Sequence, residues 1–338
     1  MKMIDLKNKV TKRKAHIHEV DGDCCIELDM STTLKFTNSE IKFDNPLIAA
    51  SGSIGHSNEI FKVIDPREFG AITIKSLAPF VSPGNSSPRV GACETGMMNS
   101  VGLPGPHVQD WVEKELPKIA KSGAKIIMAI WGTTFDHYSQ AAKIIAEHSE
   151  HFIALEVNVS CPNTEAGSRL FAFDVDSVKK ITELVKEQIG DKLPVFIKLS
   201  SGVTSPVEIA GGAIDGGADG LTLFNTSLGL VVDPYTRKPN LGNGAGGYSG
   251  KGIFPIVCRA IQNIRSAYPD IPIIGTGGVN SGEDAAVMMM CGANLVGFAT
   301  ATFANPRAVI SIAQELADFC FDTGVGRVSD LVNSLEMD

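Results

Sequence analysis

The chain has 338 residues, 43% of them hydrophobic and 20% charged, with 38 acidic side chains against 30 basic ones and a formal net charge of −8. That length allows one large α/β domain or two smaller ones, and the acidic balance argues against a protein that coats nucleic-acid phosphates. No apolar run reaches the ~18 to 20 residues that span a bilayer.

Residues 1–30 are too charged to hold the apolar centre of a secretory signal, and the basic run Lys12-Arg13-Lys14 reads as a solvated tail, so this stretch forms an N-terminal extension. The rest, residues 31–338, is expected to be one domain. Two short runs, residues 33–36 and 41–43, flank Asn38-Ser39-Glu40 and predict a hairpin. From about residue 45 a short apolar run, a polar or glycine-containing segment and a helical pattern alternate. The apolar runs at residues 46–50, 71–75, 125–130, 153–158, 194–198, 220–224, 271–275 and 295–299 predict strands. After Asp174 and Asp176, either of which suits a cap, Val178, Ile181, Val185 and Ile189 recur at helical spacing. Ser205-Pro206 opens a further helix that Gly216-Gly217 closes. Buried parallel strands in this number, separated by helices, predict an α/β fold, a closed (β/α)8 TIM barrel with the hairpin across its floor.

Seven cysteines, at 24, 25, 93, 161, 258, 291 and 320, include no C-x-x-C pair. The pattern suits a reducing cytoplasm and offers no ligand set for zinc or an iron–sulfur cluster, so no metal is expected.

In such a barrel the side chains that end the strands face the active site. Here those ends carry Ala50-Ser51-Gly52, Lys75-Ser76, Asn158 followed by Ser160 and Cys161, Lys198, and Asn225-Thr226 after Phe224. The segment after the second strand adds Asn99, Gly102 and Leu103. Each alone suits a turn or a solvated strand end. Together, two lysines, several amides and a thiol on one rim suit a planar, hydrogen-bonding anion, because amides offer donor and acceptor while ammoniums offset negative charge. The last two strands run into Gly275-Thr276-Gly277-Gly278 and Ala299-Thr300-Ala301, and Gly246-Gly247-Tyr248-Ser249-Gly250 precedes a helix near Ile253. Such small-residue loops let backbone N–H groups approach a phosphate, at the place where this fold often binds one. A phosphorylated cofactor beside a planar anion suggests flavin mononucleotide (FMN).

ASG at 50–52, KS at 75–76, MNSVGL at 98–103, NVSCPN at 158–163, KLS at 198–200, FNT at 224–226, GGYSG at 246–250 and GTGGV at 275–279 together resemble the class 1 dihydroorotate dehydrogenases, cytosolic FMN enzymes with a cysteine base. The resemblance runs from about Phe43 to the C-terminus. IWG at 130–132 and SRLFAF at 168–173 look most like the branch of NAD-linked catalytic subunits. The resemblance implies that Lys75, Asn99, Asn158, Asn163 and Asn225 hold the ring and carboxylate of dihydroorotate, with Thr226, Gly102 and Leu103 beside them. Cys161 would take the proton from C5 while hydride leaves C6 for the flavin, near which Lys198 would lie. Ala50, Ser51, Gly52, Lys75, Ser76, Asn158, Phe224, Ser249, Gly250, Gly277, Gly278, Ala299 and Thr300 would, with Lys198, contact FMN. A cysteine suits the base because its ordinary pKa of about 8.5 is lowered by nearby cations. The chain departs from the family pattern at Ser201-Gly202, where Pro-Asn is usual, at Ala129, often asparagine, and at Ala299, commonly glycine.

The implied reaction is oxidation of (S)-dihydroorotate to orotate in cytoplasmic pyrimidine synthesis. Electrons would then leave for a soluble acceptor such as fumarate or for a partner subunit carrying FAD and an iron–sulfur cluster, in a homodimer or heterotetramer. A membrane quinone fits least, since no amphipathic entry helix is evident. Ser201-Gly202 leaves open a different dihydropyrimidine or cyclic amide as substrate. A tRNA dihydrouridine synthase, which shares the FMN barrel, would need a basic groove and an added helical domain that this acidic chain lacks.

Overall fold

Alternation along the first two strands decides what closes the barrel. The structure, a computed structural model, describes residues 28–159 and 171–337. Strands β1 (Thr32–Lys35) and β2 (Glu40–Phe43) pair antiparallel, burying Leu34 and Phe43 while Lys35, Glu40 and Lys42 stay in water. There follow β3 (Leu47–Ala49), β4 (Ala71–Thr73), β5 (Val90–Cys93), β6 (Gly96–Asn99), β7 (Ile126–Ile130), β8 (Ala154–Asn158), β9 (Val195–Lys198) and β10 (Gly220–Leu223). After these come β11 (Ser227–Gly229), β12 (Val232–Asp233), β13 (Lys238–Pro239), β14 (Gly246–Ser249), β15 (Ile273–Thr276) and β16 (Leu295–Phe298). A closed parallel barrel runs β3, β4, β7, β8, β9, β10, β15, β16 and back to β3. Every strand expected from an apolar run is present, most of them a residue or two shorter than the run.

Successive side chains on each barrel strand serve two different cores. One set, including Ile72, Met128, Val157, Ile197, Leu221 and Val296, packs outward in the main cluster against the helices. The alternate set, including Ile48, Ile127, Ala154, Phe196, Ile274 and Leu295, forms a separate cluster inside the barrel with Leu34 and Phe43 of the hairpin. That cluster is the dry floor. Gly220 makes room for it: a Cβ there would lie 2.4 Å from the Phe196 ring, which in turn meets Phe36 edge-on at 6.0 Å. Two residues further along the strands, the interior positions change character. They include Thr73, Glu156, Lys198, Thr222 and Thr276, all buried, so a polar storey lies between the floor and the strand ends.

Local signals in the helices hold with one refinement. Asp174 is the cap of the helix Val175–Ile189, accepting the Ser177 N–H at 2.9 Å, while Asp176 lies within its first turn. Val178, Ile181, Val185 and Ile189 form its buried stripe. Pro206 opens the helix Pro206–Asp215, although Ser205 makes no side-chain cap bond.

The segments above the strand ends are more ordered than their sequences suggest. Strands β5, β6, β14 and β11 form a four-stranded antiparallel sheet. The GGYSG segment is therefore a strand through Ser249 instead of a free loop, and Met98 and Asn99 of MNSVGL lie in β6. The reason is close packing of backbones: a Cβ at Gly246 would fall 2.3 Å from the Asn99 carbonyl oxygen. Among the described residues no helix is long and apolar enough to cross a membrane, and no cluster of His, Cys, Asp and Glu could hold a metal ion.

Candidate active site

Two adjoining cavities open where the barrel strands end. The first, with about 500 Å³ of empty space, is walled by Ala50, Phe224, Ser249, Gly277, Gly278, Ala299 and Thr300, with Ile253, Thr276, Val279, Gly297 and Phe298 among them. The second, about 540 Å³, is walled by Lys75, Ser76, Asn99, Gly102, Leu103 and Asn158, with Val101 and Gly247. Ser51, Lys198, Asn225 and Thr226 line both.

The wall of the first cavity is built from small residues under constraint. Gly277 and Gly278 have φ of +140° and +81°, and a Cβ on either would lie 2.7 Å from Val257 or Phe254 of the helix Phe254–Ala267. Only glycine holds that turn so close to the helix. Thr300 Oγ1 donates to Ser249 Oγ at 3.0 Å, bringing two hydroxyls to one place. With the apolar side chains Ile253, Val279 and Phe298, this donor set fits a phosphorylated cofactor with a planar ring.

The second cavity is a ring of amides. Asn158 Nδ2 donates to Ser76 Oγ at 3.4 Å, and Asn225 Nδ2 donates to Asn158 Oδ1 at 3.4 Å. Lys198 is buried and pairs with Glu156 at 3.3 Å. Cys161 and Asn163, with Ser160, lie outside the described residues. The dihydroorotate dehydrogenase family model matches residues 33–320.

The chain belongs to the dihydroorotate dehydrogenase family. It is 37% identical over 302 residues to the dihydroorotate dehydrogenase B (NAD(+)) catalytic subunit of Alkaliphilus metalliredigens, covering 89% of this chain and 98% of that one. The subunit of the same name from Desulforamulus reducens is 35% identical over 308 residues, 91% of this chain and 100% of the relative. That from a Geobacillus species is 38% identical over 290 residues, 86% and 91% respectively.

Two of the expected contact residues, Gly52 and Gly250, are not among the residues that line the two cavities. Gly52, with φ of +94°, lies under the Lys75 side chain, where a Cβ would be 3.3 Å from Nζ. Gly250 packs against Gly278, its carbonyl oxygen 2.9 Å from where a Cβ on Gly278 would stand. Close to Lys75 lies His56, whose pKa is lowered from 6.5 to about 4, first by burial and then by the Lys75 charge, against hydrogen bonding to the Ser76 and Lys75 backbone, which raises it. The ring is neutral near pH 7.

Sequence reasoning passed over Glu156. Its signal was present: a carboxylate in an otherwise apolar strand, two residues before Asn158 and so on the same side, next to the strand that ends in Lys198. Val279, Phe298 and Ile253 were also missed as wall residues, being indistinguishable in sequence from core.

Proposed function

We propose that the chain oxidises (S)-dihydroorotate to orotate in pyrimidine biosynthesis, with FMN in the glycine-walled cavity and the substrate in the amide-lined one. The observation that carries this reading is the shared wall: Lys198, Ser51, Asn225 and Thr226 belong to both cavities, so two ligands would meet there. When bound, FMN supplies the hydride acceptor. Ser249, Thr300 and the backbone at Gly277 and Gly278 would hold its phosphate, and Ala50, Ser51, Phe224 and Ala299 would border the rest.

The protein's own groups do the remaining work. Asn99, Asn158 and Asn225 present donors and acceptors to a cyclic amide, and Lys75 offsets the substrate carboxylate. Asn163 joins them by its place in NVSCPN. Cys161, by its place in NVSCPN, would take the C5 proton as a thiolate, a form that nearby cations favour. Lys198 places positive charge at the junction, where negative charge grows during hydride transfer, which is the stabilisation that speeds a reaction.

The names of the relatives speak of a catalytic subunit and NAD(+). On that basis we read an electron-transfer partner subunit carrying FAD and an iron–sulfur cluster, in a cytoplasmic heterotetramer, and residues 31–338 as one catalytic domain after an N-terminal extension. The deciding experiment is anaerobic mixing of FMN-loaded protein with dihydroorotate while the flavin absorbance is followed. Rapid bleaching is expected with dihydroorotate and not with dihydrouracil; bleaching by dihydrouracil alone would move the substrate to another cyclic amide.

A further inference from the structure

Glu156 has no part in the reaction as described, yet it is among the most deeply buried charged residues of the barrel interior, 2% exposed. We propose that Glu156 is a positioning residue whose carboxylate holds Lys198 at the junction of the two cavities. The inference rests on the flavin reading above.

Register places the pair. Lys198 is the Cα partner of Asn158 across β8 and β9, and Glu156 stands two residues below Asn158 on the same inward side. The carboxylate thus shares with the lysine the polar layer above the apolar floor, 3.3 Å from Nζ. An ammonium taken out of water at this depth is costly to hold unless an opposite charge lies close. Among the described residues, the other groups that line the second cavity do not supply one. Asn158, Asn225 and Thr226 are neutral, and Lys75, on the wall of the same cavity, carries like charge. Lysines at strand ends often extend into water; this one instead turns to an internal carboxylate.

The test measures the flavin midpoint potential against a reference dye, in protein reconstituted with FMN. Glu156→Gln is expected to lower the preference for reduced over oxidised flavin by about tenfold or more, a fall of about 30 mV for each factor of ten in a two-electron couple. Lys198→Met should give a shift of the same sign, and adding Glu156→Gln to it should shift the potential no further, because the two residues act as one unit. Glu156→Asp, which keeps the charge, should restore most of the wild-type value. An unchanged or raised potential in Glu156→Gln, or additive shifts in the double variant, overturns the proposal. If Glu156→Gln does not retain FMN, thermal midpoints of the flavin-free proteins decide: the double variant should melt above Glu156→Gln alone, and additive losses overturn the idea. Failure of the underlying flavin reading looks different, since then the wild-type chain itself would take up no FMN.

Discussion

Asn225 donates to Asn158 across 3.4 Å, and Asn225 Oδ1 in turn accepts the backbone N–H of Thr226 at 2.8 Å. With the bond from Asn158 to Ser76, the hydrogen bonds run in one direction along the cavity wall and set which edge each amide offers a ligand. Because the two amides orient one another, their removal should not be additive. Asn158→Ala and Asn225→Ala are each expected to raise KM for dihydroorotate by about 10- to 100-fold, the loss of one or two hydrogen bonds to a buried ligand. The double variant should be little worse than the poorer single, measured by steady-state kinetics.

Cys161→Ala should slow reduction of bound FMN by dihydroorotate by about 10²- to 10⁴-fold at pH 7, the usual contribution of a positioned base, while the yellow colour of the protein persists. Stopped-flow absorbance gives both readings in one experiment. Reduction at the wild-type rate would remove Cys161 from the chemistry.

The His56 ring makes stability depend on pH in a defined window. Its folded-state pKa, about 4, lies below the ordinary 6.5, so as pH falls the unfolded chain takes up a proton before the folded one does. The contribution is fully present above pH 6.5 and is lost as pH drops toward 4. A shift of this size sets a ceiling of about 3 kcal/mol, and solvent screening of a half-buried ring reduces it to on the order of 1 to 2 kcal/mol. Thermal melts from pH 7 to pH 4 should therefore fall more steeply for the wild type than for His56→Gln.

Gly278→Ala tests the wall of the first cavity. The added methyl meets Phe254 Cβ at 2.7 Å and the Gly250 carbonyl at 2.9 Å, in a backbone conformation that L-residues disfavour. A destabilisation of about 1 to 3 kcal/mol is expected. Weaker FMN retention, about tenfold or more, should accompany it, read by the fluorescence of released flavin.

The barrel was legible because parallel strands covered on both sides read as unbroken apolar runs, as Ile126–Ile130 does with five buried residues in five. The sheet above the strand ends was not. Gly246–Ser249 and Gly96–Asn99 are half-buried, poor in β-branched residues and rich in glycine and methionine, so their pairing comes from backbone proximity that no periodicity announces. The cavity walls divide the same way. Lys75, Asn99, Asn158 and Asn225 stood out as polar groups at strand ends or beside them, whereas Ile253 and Phe298 differ from core residues only in what lies beside them. Glu156 was hidden by its strand, since the sequence states a charge but not the neighbour that satisfies it.

Leu34 and Phe43 seal one end of the barrel. The interior is thus closed off by apolar side chains at that end, and the two cavities form a doorway at the other. A molecule seated in that doorway acts as a stopper, and whatever lies deeper shares its fate: while the stopper is in place, the charges beneath it are cut off from exchange with bulk solvent, and its departure wets them.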